Sequence, residues 1–469
     1  MRRAALWVVL ALVGCGPLET TTTVAARQEA LSDPLLTQLQ ALPGVTVTEV
    51  ASKPGTRGFL LEISQPVDHF NPSSPRFTQR ALLLHRDVAQ PMVLASTGYG
   101  LFSPRPRDNE LSFTLSANVL IVEHRYFEGS TPTPTDPRYL TIRQAAWDHH
   151  RVVELLKPVY PARWLSTGAS KGGMTSIFHR RYFPNDVYAT VAYVAPQTYG
   201  TNDPRYPLFL ERVGSATCRQ QLITFQRALL ANRAELVARY EQQALDFGLT
   251  YTRVGGVPVA FEHAVQELRF ALWQYLDEET CLQLPAATAT ADELQAAMDG
   301  IVGPADLASD QALEAFGAYY YQSAAQLGSY GPLELHLRGQ LQFPGTYRVQ
   351  NYTPWPVARF DAAAMPQVQA WVALFGERLM FIYGENDPWS AGAFELGAAR
   401  DSFKYFVPGG NHGAAIFLLP EAQQAEANAT LERWAGVPVT PLRQSGARAA
   451  PNEDLTEWQL ERKRPSVLH

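Results

Sequence analysis

Ser170 lies in a pattern that supports nucleophilic catalysis. The segment Gly168-Ala169-Ser170-Lys171-Gly172 has the form G-x-S-x-G, and it stands between a short apolar run and a stretch of helical character. In this setting the serine occupies a strained strand-to-helix turn, and the glycines allow the two elements to approach closely. The motif predicts a nucleophile at Ser170. Its chance frequency in a long chain is appreciable, so the assignment depends on its partners.

An acid and a histidine follow in the order that such a serine requires. Asp387 follows the apolar run Leu379 to Tyr383, and His412 follows a second run and a Gly-Gly turn. Their separation is 412 − 387 = 25 residues, enough for one helix and one strand. The order serine, acid, histidine predicts that His412 is the general base and that Asp387 orients its imidazole. Glu385 is the competing acid, and Asp387 is preferred because it lies deeper in the loop.

Two backbone N–H groups are needed to stabilise the oxyanion that forms when serine attacks a carbonyl. One should belong to the residue after the nucleophile, Lys171. The other should come from the loop Ser96-Thr97-Gly98-Tyr99-Gly100, where the Tyr99 N–H is the predicted donor. The alternative is that the glycines of this loop only turn the chain.

Composition argues against several other classes of protein. The 469 residues carry a formal net charge of −6 and are 46% hydrophobic, which indicates a large folded core and no basic field for nucleic acid. His149 and His150 are adjacent, and no H-E-x-x-H or clustered Cys/His spacing occurs. We therefore predict neither a metal site nor a cofactor.

The first residues have the features of an export signal. Arg2 and Arg3 precede the apolar run Ala4 to Val13, which is too short to span a bilayer. The run ends in Leu12-Val13-Gly14-Cys15, which resembles a bacterial lipobox. We expect residues 1–14 to be a signal peptide, Cys15 to carry a lipid as the only membrane attachment, and residues 15–34 to form a polar tether. The alternative is an ordinary signal peptide with a chance cysteine; either predicts a protein exported to the cell envelope or secreted.

Export would place the other two cysteines, Cys218 and Cys281, where a disulfide can form. If lipid occupies Cys15, Cys218 and Cys281 remain as a pair in an oxidising compartment, 281 − 218 = 63 positions apart. A disulfide is the hypothesis, and two unrelated buried thiols are the alternative.

Strand and helix patterns alternate along most of the chain, as they do in a wound α/β sheet. Residues 35–203 and 366–442 are predicted to form one sheet-based core, in two parts. Residues 204–365 have helical periodicity, with main candidates at Arg227 to Asp246, Ala260 to Asp277, Ala291 to Met298 and Gln311 to Gln326. This predicts an α/β-hydrolase fold with a large helical cap, inserted between the strand after the nucleophile helix and the acid-bearing strand. Residues 443–469 form a polar C-terminal tail.

Several segments resemble one known family. They are Glu123-His124-Arg125-Tyr126-Phe127, Gly168 to Thr175, His179 to Pro184, Ala192 to Pro196 and Gly384 to Ser390. They look like the bacterial secreted tripeptidyl and prolyl tri/tetrapeptidyl aminopeptidases and, more distantly, the prolyl carboxypeptidase and dipeptidyl peptidase II group. The resemblance implies a serine exopeptidase that releases tri- or tetrapeptides from peptide N-termini after proline, through an acyl-enzyme.

The resemblance also implies substrate-binding residues. A buried carboxylate would pair with the substrate amine, and Glu123 is the candidate by position; a structural ion pair with an arginine is the alternative. Tyr320, Trp355 and Trp389 are candidates for an apolar proline pocket, against the alternative that they are core aromatics. A carboxylester hydrolase or lipase on the same triad remains open, as does a non-catalytic surface-binding protein, against which the intact triad argues. The sequence does not determine the oligomeric state.

Overall fold

The computed structural model of the protein describes residues 33–101 and 103–442. The predicted signal peptide, the lipidation site Cys15, nearly all of the predicted tether and the tail 443–469 lie outside the described residues. Within the described ranges, no helix combines the length and the apolar character that a membrane span requires.

One mixed sheet forms the centre of the molecule. In the described residues its strands are β1 Val45–Val50, β2 Arg57–Pro66, β3 Arg76–His85, β4 Met92–Ser96, β5 Asn118–Val122, β6 Trp164–Ala169, β7 Ala189–Tyr193, β8 Leu379–Gly384 and β9 Phe403–Val407. The spatial order is β1-β2-β3-β5-β4-β6-β7-β8-β9. The first three strands and the β3–β5 pair are antiparallel, and every pairing from β5 onward is parallel. Strands β2 and β3 form an antiparallel hairpin, and β1 extends it.

Helices occupy most of the chain outside the sheet. In chain order, the α-helices of the described residues are α1 Pro34–Gln40, α2 Glu110–Thr114, α3 Ile142–Leu156, α4 Lys171–Tyr182, α5 Arg205–Leu210, α6 Ala216–Ala231, α7 Arg233–Phe247, α8 Val257–Tyr275, α9 Glu278–Leu282, α10 Ala291–Asp299, α11 Pro304–Ala308, α12 Asp310–Ala315, α13 Gly317–Gln322, α14 Ala364–Phe375 and α15 Glu421–Ala435. A π-helix, Ser323–Leu327, continues α13.

Helices cover both faces of the parallel strands. Side chains alternate between the faces along a strand, and in β8 Met380 and Ile382 pack with α15 while Phe381 packs with α14 on the other side. Helices α3 and α4 lie against each other, and α4 also contacts β6 and β7. Burial on both faces explains why β7 and β8 are continuous apolar runs rather than alternating ones.

Helices α5 to α13 lie between β7 and β8 in the chain and form a core of their own. At its centre is α8, in which every residue from Val259 to Trp273 is buried. Cys218 of α6 and Cys281 of α9 are disulfide-bonded, with their Cα atoms 5.6 Å apart. The predicted α/β-hydrolase fold with a helical cap before the acid-bearing strand is confirmed.

Two predicted cap helices were wrong in detail. The single helix expected over Arg227 to Asp246 is interrupted at Asn232, which ends α6 and precedes α7. The helix expected over Gln311 to Gln326 is three short elements, because Phe316 leaves the helical conformation with φ −107° and ψ 8°.

Candidate active site

Ser170 sits on the sharp turn between β6 and α4. Its backbone has φ 54° and ψ −125°, a strained region for a residue with a side chain, and its N–H donates to the Tyr193 carbonyl at 2.9 Å. Gly168 and Gly172 make the turn possible: a Cβ on Gly168 would lie 2.4 Å from the Gly172 carbonyl, and one on Gly172 would lie 2.2 Å from the Ser96 carbonyl oxygen. The strand, the helix and the end of β4 thus meet only because both positions are glycine.

Asp387 and His412 are hydrogen-bonded to each other at the carboxyl end of the sheet. The Nδ1 of His412 lies 2.7 Å from Oδ2 of Asp387, and both side chains are buried. The Trp389 N–H donates to the other carboxylate oxygen at 3.1 Å, which fixes the carboxylate plane. With Nδ1 donating to Asp387, Nε2 is the ring nitrogen that can act as a base. Ser170 and His412 line the same cavity.

The carboxylate of Glu385, the competing acid, makes a different contact. Its carboxylate is exposed and accepts the Gly409 N–H at 2.9 Å in the turn before the histidine. The geometry thus agrees with the choice of Asp387 over Glu385.

The two predicted oxyanion donors differ in their surroundings. Lys171 is the first residue of α4, where a backbone N–H has no acceptor within the helix, so its N–H suits the role. The Tyr99 N–H instead donates to the Thr97 hydroxyl at 3.1 Å. The assignment of Tyr99 is therefore corrected, because the Thr97 hydroxyl closes a turn within the loop and already accepts a hydrogen bond from this N–H. A threonine two positions before Tyr99 is a sequence signal for such a turn.

The side chain of Lys171 was not singled out from the sequence. It is almost fully buried, its Nζ donates to the Gly98 carbonyl, and it lies 5.1 Å from the centre of the Phe127 ring. Burial lowers the pKa of Lys171 well below the ordinary value for lysine.

A cavity of about 430 Å³ extends from the nucleophile into the cap. Core residues and cap residues both line it, which places the reacting groups under the cap rather than on an open face. Tyr320 and Trp389, two of the three predicted aromatics, are in its wall. The acidic and arginine residues of the wall are Arg105, Arg107, Asp108, Glu267, Asp299, Asp306 and Arg348.

Glu123 and Trp355 are not part of this wall, and both predictions are corrected. Glu123 is fully buried and forms a two-point ion pair with Arg80 at 2.8 and 2.5 Å; it also accepts the Leu101 N–H and the Ser130 hydroxyl. The structural ion pair weighed as the alternative is therefore what the structure contains. Trp355 packs edge-on against Tyr126 and Tyr321 in a separate aromatic cluster.

A small recess adjoins Ser170 beside the main cavity. Its walls are Lys171, Met174, Pro196, Tyr319, Ser323, Leu327, Gly328 and Trp389. Ser323 belongs to the π-helix, an element often found at functional sites. Most of this wall is apolar, and Trp389 faces both the recess and the cavity.

The polar histidines near the site make contacts within the protein. His149 donates from Nδ1 to the Ala145 carbonyl at 2.9 Å, and its Nε2 lies 3.0 Å from the Ser96 hydroxyl. In the described part of the chain, no group of three or more His, Cys, Asp or Glu side chains is arranged to hold a metal ion.

A strained serine, an Asp–His pair and a sheet-end cavity closed by helices define a serine hydrolase of the α/β-hydrolase fold. The family model described as PS-10 peptidase S37 matches residues 30–463, so the chain belongs to that family and is a serine peptidase. This confirms the family resemblance seen in the sequence.

Individual proteins are also similar to this chain. The prolyl tri/tetrapeptidyl aminopeptidase of Streptomyces mobaraensis is 39% identical over 458 residues, covering 96% of each chain. Among solved structures, proline iminopeptidase of Mycobacterium smegmatis is 12% identical with a TM-score of 0.36, covering 83% of this chain and 99% of that chain. The peroxisomal alpha-beta-hydrolase Lpx1 of Saccharomyces cerevisiae is 11% identical with a TM-score of 0.36, covering 87% and 97%.

Proposed function

We propose that this protein is an exported aminopeptidase-type serine peptidase that releases tri- or tetrapeptides from peptide N-termini by cleaving after proline. The observation that carries the proposal is the cavity that begins at Ser170 and His412 and continues beneath the cap. A site roofed by helices accommodates a chain end more readily than the middle of a chain. The relative named prolyl tri/tetrapeptidyl aminopeptidase supports the same substrate class.

The proposed reaction proceeds through an acyl-enzyme. The Ser170 oxygen attacks the carbonyl carbon of the scissile bond while Nε2 of His412 takes the hydroxyl proton. Asp387 stabilises the imidazolium, and the Lys171 N–H donates to the developing oxyanion. His412 then protonates the leaving amine, which departs with the rest of the peptide. A water molecule, deprotonated by His412, hydrolyses the ester and restores the Ser170 hydroxyl.

The recess beside Ser170 is the proposed pocket for proline. Met174, Pro196 and Leu327 provide apolar walls, and Trp389 and Tyr319 provide aromatic ones. A proline ring is compact and apolar and has no N–H donor, so it can be buried against such walls without leaving a donor unpaired. Trp389 borders the recess, and its backbone N–H donates to Asp387.

A panel of chromogenic substrates tests this function. Ala-Ala-Pro-p-nitroanilide, its N-acetylated form, Ala-Ala-Phe-p-nitroanilide and p-nitrophenyl butyrate should be compared, with S170A as the inactive control. We expect the free-amine proline substrate to give the highest kcat/KM. Hydrolysis of the ester with none of the peptides would instead identify a carboxylester hydrolase.

Export and lipid attachment are proposed from the first residues. Arg2, Arg3 and the run to Cys15 carry the proposal, and the Cys218–Cys281 disulfide is of the kind that persists in oxidising compartments. Expression in a bacterial host followed by membrane fractionation and mass spectrometry of the N-terminus tests it. We expect a lipid on Cys15 and loss of membrane attachment in C15S; a C15S protein that stays in the membrane fraction would contradict the anchor.

A further inference from the structure

We propose that Arg105 and Arg348 bind carboxylates on the part of the substrate that leaves with the amine, so that the enzyme prefers peptides with acidic groups after the cut. The inference rests on the proposed aminopeptidase function and deepens it, because it names a recognition site for the leaving peptide. Both arginines lie where the cavity opens to solvent.

The cavity meets solvent where its wall is exposed. Among the described residues of the wall, most are buried or half-buried, and the exposed ones form a rim that consists of Arg105, Asn202, Gly300 and Arg348. Both charged members of the rim are arginines. The acidic residues of the wall are buried or half-buried, and they are Asp108, Glu267, Asp299 and Asp306. The charge that a peptide meets at the rim is therefore positive.

A peptide that is cut near its N-terminus has to cross the rim. In the proposed reaction the residues before the cut lie under the cap, and the rest of the peptide continues from the leaving amine toward solvent. The wall meets solvent at the rim, so this leaving segment passes Arg105 and Arg348. Arg105 belongs to the core and Arg348 to the cap, so a segment that leaves between them can contact both.

Two prolines constrain the loop around Arg105. The segment Ser103-Pro104-Arg105-Pro106 lies between β4 and α2. Pro104 has a fixed φ, and Pro106 restricts the residue before it to extended conformations. The Arg105 N–H donates to the Ser103 hydroxyl at 3.1 Å, and Pro106 is buried. The guanidinium is thus presented from a constrained backbone, which reduces the entropy lost when it binds a ligand.

Arg348 is presented in a similar way by the cap. Its neighbours Tyr347 and Val349 pack against the cap core, while its own side chain is exposed. The guanidinium lies beside Gly345, since a Cβ on that glycine would come within 3.1 Å of Nη2. The carboxylate of Glu334 accepts the Gly345 N–H at 2.9 Å and forms no ion pair with Arg348. The backbone of Arg348 is therefore anchored and its charge faces solvent.

Neither guanidinium is neutralised by the protein. In the part of the chain that the structure describes, the side chains of Arg105 and Arg348 donate no hydrogen bond and form no ion pair. Asp108, the acid in the same loop as Arg105, is already paired with Arg86 at 2.8 and 2.7 Å and with Lys53. A guanidinium presents a planar fork of donors that matches a carboxylate, so each arginine can bind one acidic side chain or the C-terminal carboxylate of the substrate.

The test compares leaving peptides that differ in charge. The substrates are Ala-Ala-Pro-Ala-Glu-Glu-amide, Ala-Ala-Pro-Ala-Gln-Gln-amide and the Gln-Gln peptide with a free C-terminal acid, and the release of Ala-Ala-Pro is measured by liquid chromatography. We expect wild-type kcat/KM to be about 3- to 10-fold higher for the Glu-Glu peptide than for the Gln-Gln amide, since exposed ion pairs contribute modestly. Raising sodium chloride from about 0.02 to about 0.5 M should reduce this ratio, because salt screens exposed charges.

The third substrate separates the two sources of carboxylate. A preference for the free C-terminal acid with none for the Glu side chains would identify the terminal carboxylate as the group bound. Equal kcat/KM for all three peptides would overturn the proposal.

R105Q and R348Q should each lower the preference for a carboxylate, and the double variant should abolish it. R338Q is the matched control, because Arg338 is an exposed cap arginine outside the wall and the substitution removes the same charge. It should keep the wild-type ratio. An equal decrease in R338Q would overturn the proposal in favour of overall charge, and so would a double variant that keeps the wild-type preference.

The ratio between two substrates does not depend on the fraction of active protein, so partial misfolding does not imitate the effect. Thermal unfolding and titration of Ser170 with a fluorophosphonate check that each variant is folded. A wild-type enzyme that releases Ala-Ala-Pro from none of the peptides would overturn the proposed function as well, whereas cleavage of all three without a carboxylate preference would overturn the role of Arg105 and Arg348 alone.

Discussion

The buried amine of Lys171 donates a hydrogen bond to the carbonyl oxygen of Gly98. Lys171 follows the nucleophile, and Gly98 lies in the loop after β4, so this contact joins the two backbone segments that border the reacting carbonyl. The surrounding rings of Tyr99 and Phe127 lie 5.5 and 5.1 Å from the amine and exclude water. We infer that the side chain holds the loop in place while the Lys171 N–H serves the oxyanion.

K171M should therefore lower kcat more than it raises KM. Methionine fills similar space and donates no hydrogen bond, so the loop loses its anchor while the cavity keeps its shape. Loss of one oxyanion donor typically costs about 10²–10³ in kcat, and a displaced loop should cost up to that amount. Steady-state kinetics on Ala-Ala-Pro-p-nitroanilide measure it. K157M, which removes an exposed lysine that donates to the Asp186 carbonyl, is the control and should leave kcat unchanged.

G98A should inactivate and destabilise the protein. Gly98 has φ +75°, and a Cβ there would lie 2.4 Å from the Gly172 nitrogen, so the loop and the nucleophile helix would have to separate. Gly55 has a similar φ of +79° with open space around it, so G55A carries the backbone strain alone, worth about 1 kcal/mol. Thermal unfolding and kcat of the two variants separate the effects; similar losses in both would contradict the role of close packing.

The strained turn at Ser170 and the contact between Asp387 and His412 were predictable because their signals are local. A nucleophile turn of this kind requires the residue types of the G-x-S-x-G pattern. The acid and the histidine follow later strands, so the chain order of the fold is enough to locate them. Glu123 was mistaken for a substrate residue because the contact that its carboxylate makes depends on Arg80. Arg80 lies 43 positions earlier in the chain and pairs with Glu123 in the sheet. Tyr99 was mistaken for a donor because the Thr97 turn was overlooked.

The position of Glu267 in the cavity wall was missed for a different reason. Helix α8 is buried all round, so its pattern has no polar face on which an unusual carboxylate would stand out. Glu262, His263, Gln266 and Arg269 are buried in the same helix, so polarity alone does not distinguish Glu267. The break at Asn232 was missed because the end of α6 and the whole of α7 read as one periodic segment. Asn232 ends α6 with φ −94° and ψ 14°, and its side-chain amide donates to the Ala228 carbonyl at 2.9 Å.

D387N should lower kcat by several orders of magnitude while the protein stays folded. The amide can still lie beside His412, but it favours the wrong imidazole tautomer and does not stabilise the imidazolium; in serine proteases the effect is on the order of 10⁴. E385Q is the matched control, since Glu385 is exposed and only accepts the Gly409 N–H. Near-native turnover by D387N together with an inactive E385Q would reverse the assignment of the acid.

Breaking the disulfide should destabilise the cap before it affects the core. Cys218 and Cys281 close a loop with a sequence separation of 63 residues within the cap, and loss of such a bridge typically costs about 2–5 kcal/mol. The double variant C218S/C281S should show a lower unfolding temperature in the absence of reductant and no further decrease when dithiothreitol is added. The unfolding temperature of the wild-type protein should fall when dithiothreitol is added. An unchanged unfolding temperature would argue against a stabilising bridge.

Asp299 should make the protein less stable as the pH rises. Burial, together with the nearby charge of Asp306, raises its pKa to about 6 from the ordinary 3.8, against the hydrogen bond from the Tyr240 hydroxyl. Folding therefore favours the protonated form: the stabilising contribution is complete below about pH 4 and is lost as the pH rises through about 6. A shift of about two pKa units corresponds to about 3 kcal/mol as an upper limit at pH 8.

D299N tests this pH dependence because asparagine is neutral at every pH and can still accept the Tyr240 hydroxyl. Urea unfolding at pH 8 should show D299N to be more stable than wild type, and the difference should shrink toward pH 4. D310N should behave in the opposite way. Although burial pushes the pKa of Asp310 upward, hydrogen bonds from Thr252 and the Arg253 N–H lower it to about 2, so its ionised form stabilises the fold at neutral pH. A D299N protein that is less stable than wild type at pH 8 would show that the Asp299 carboxylate makes a favourable charge interaction in the fold.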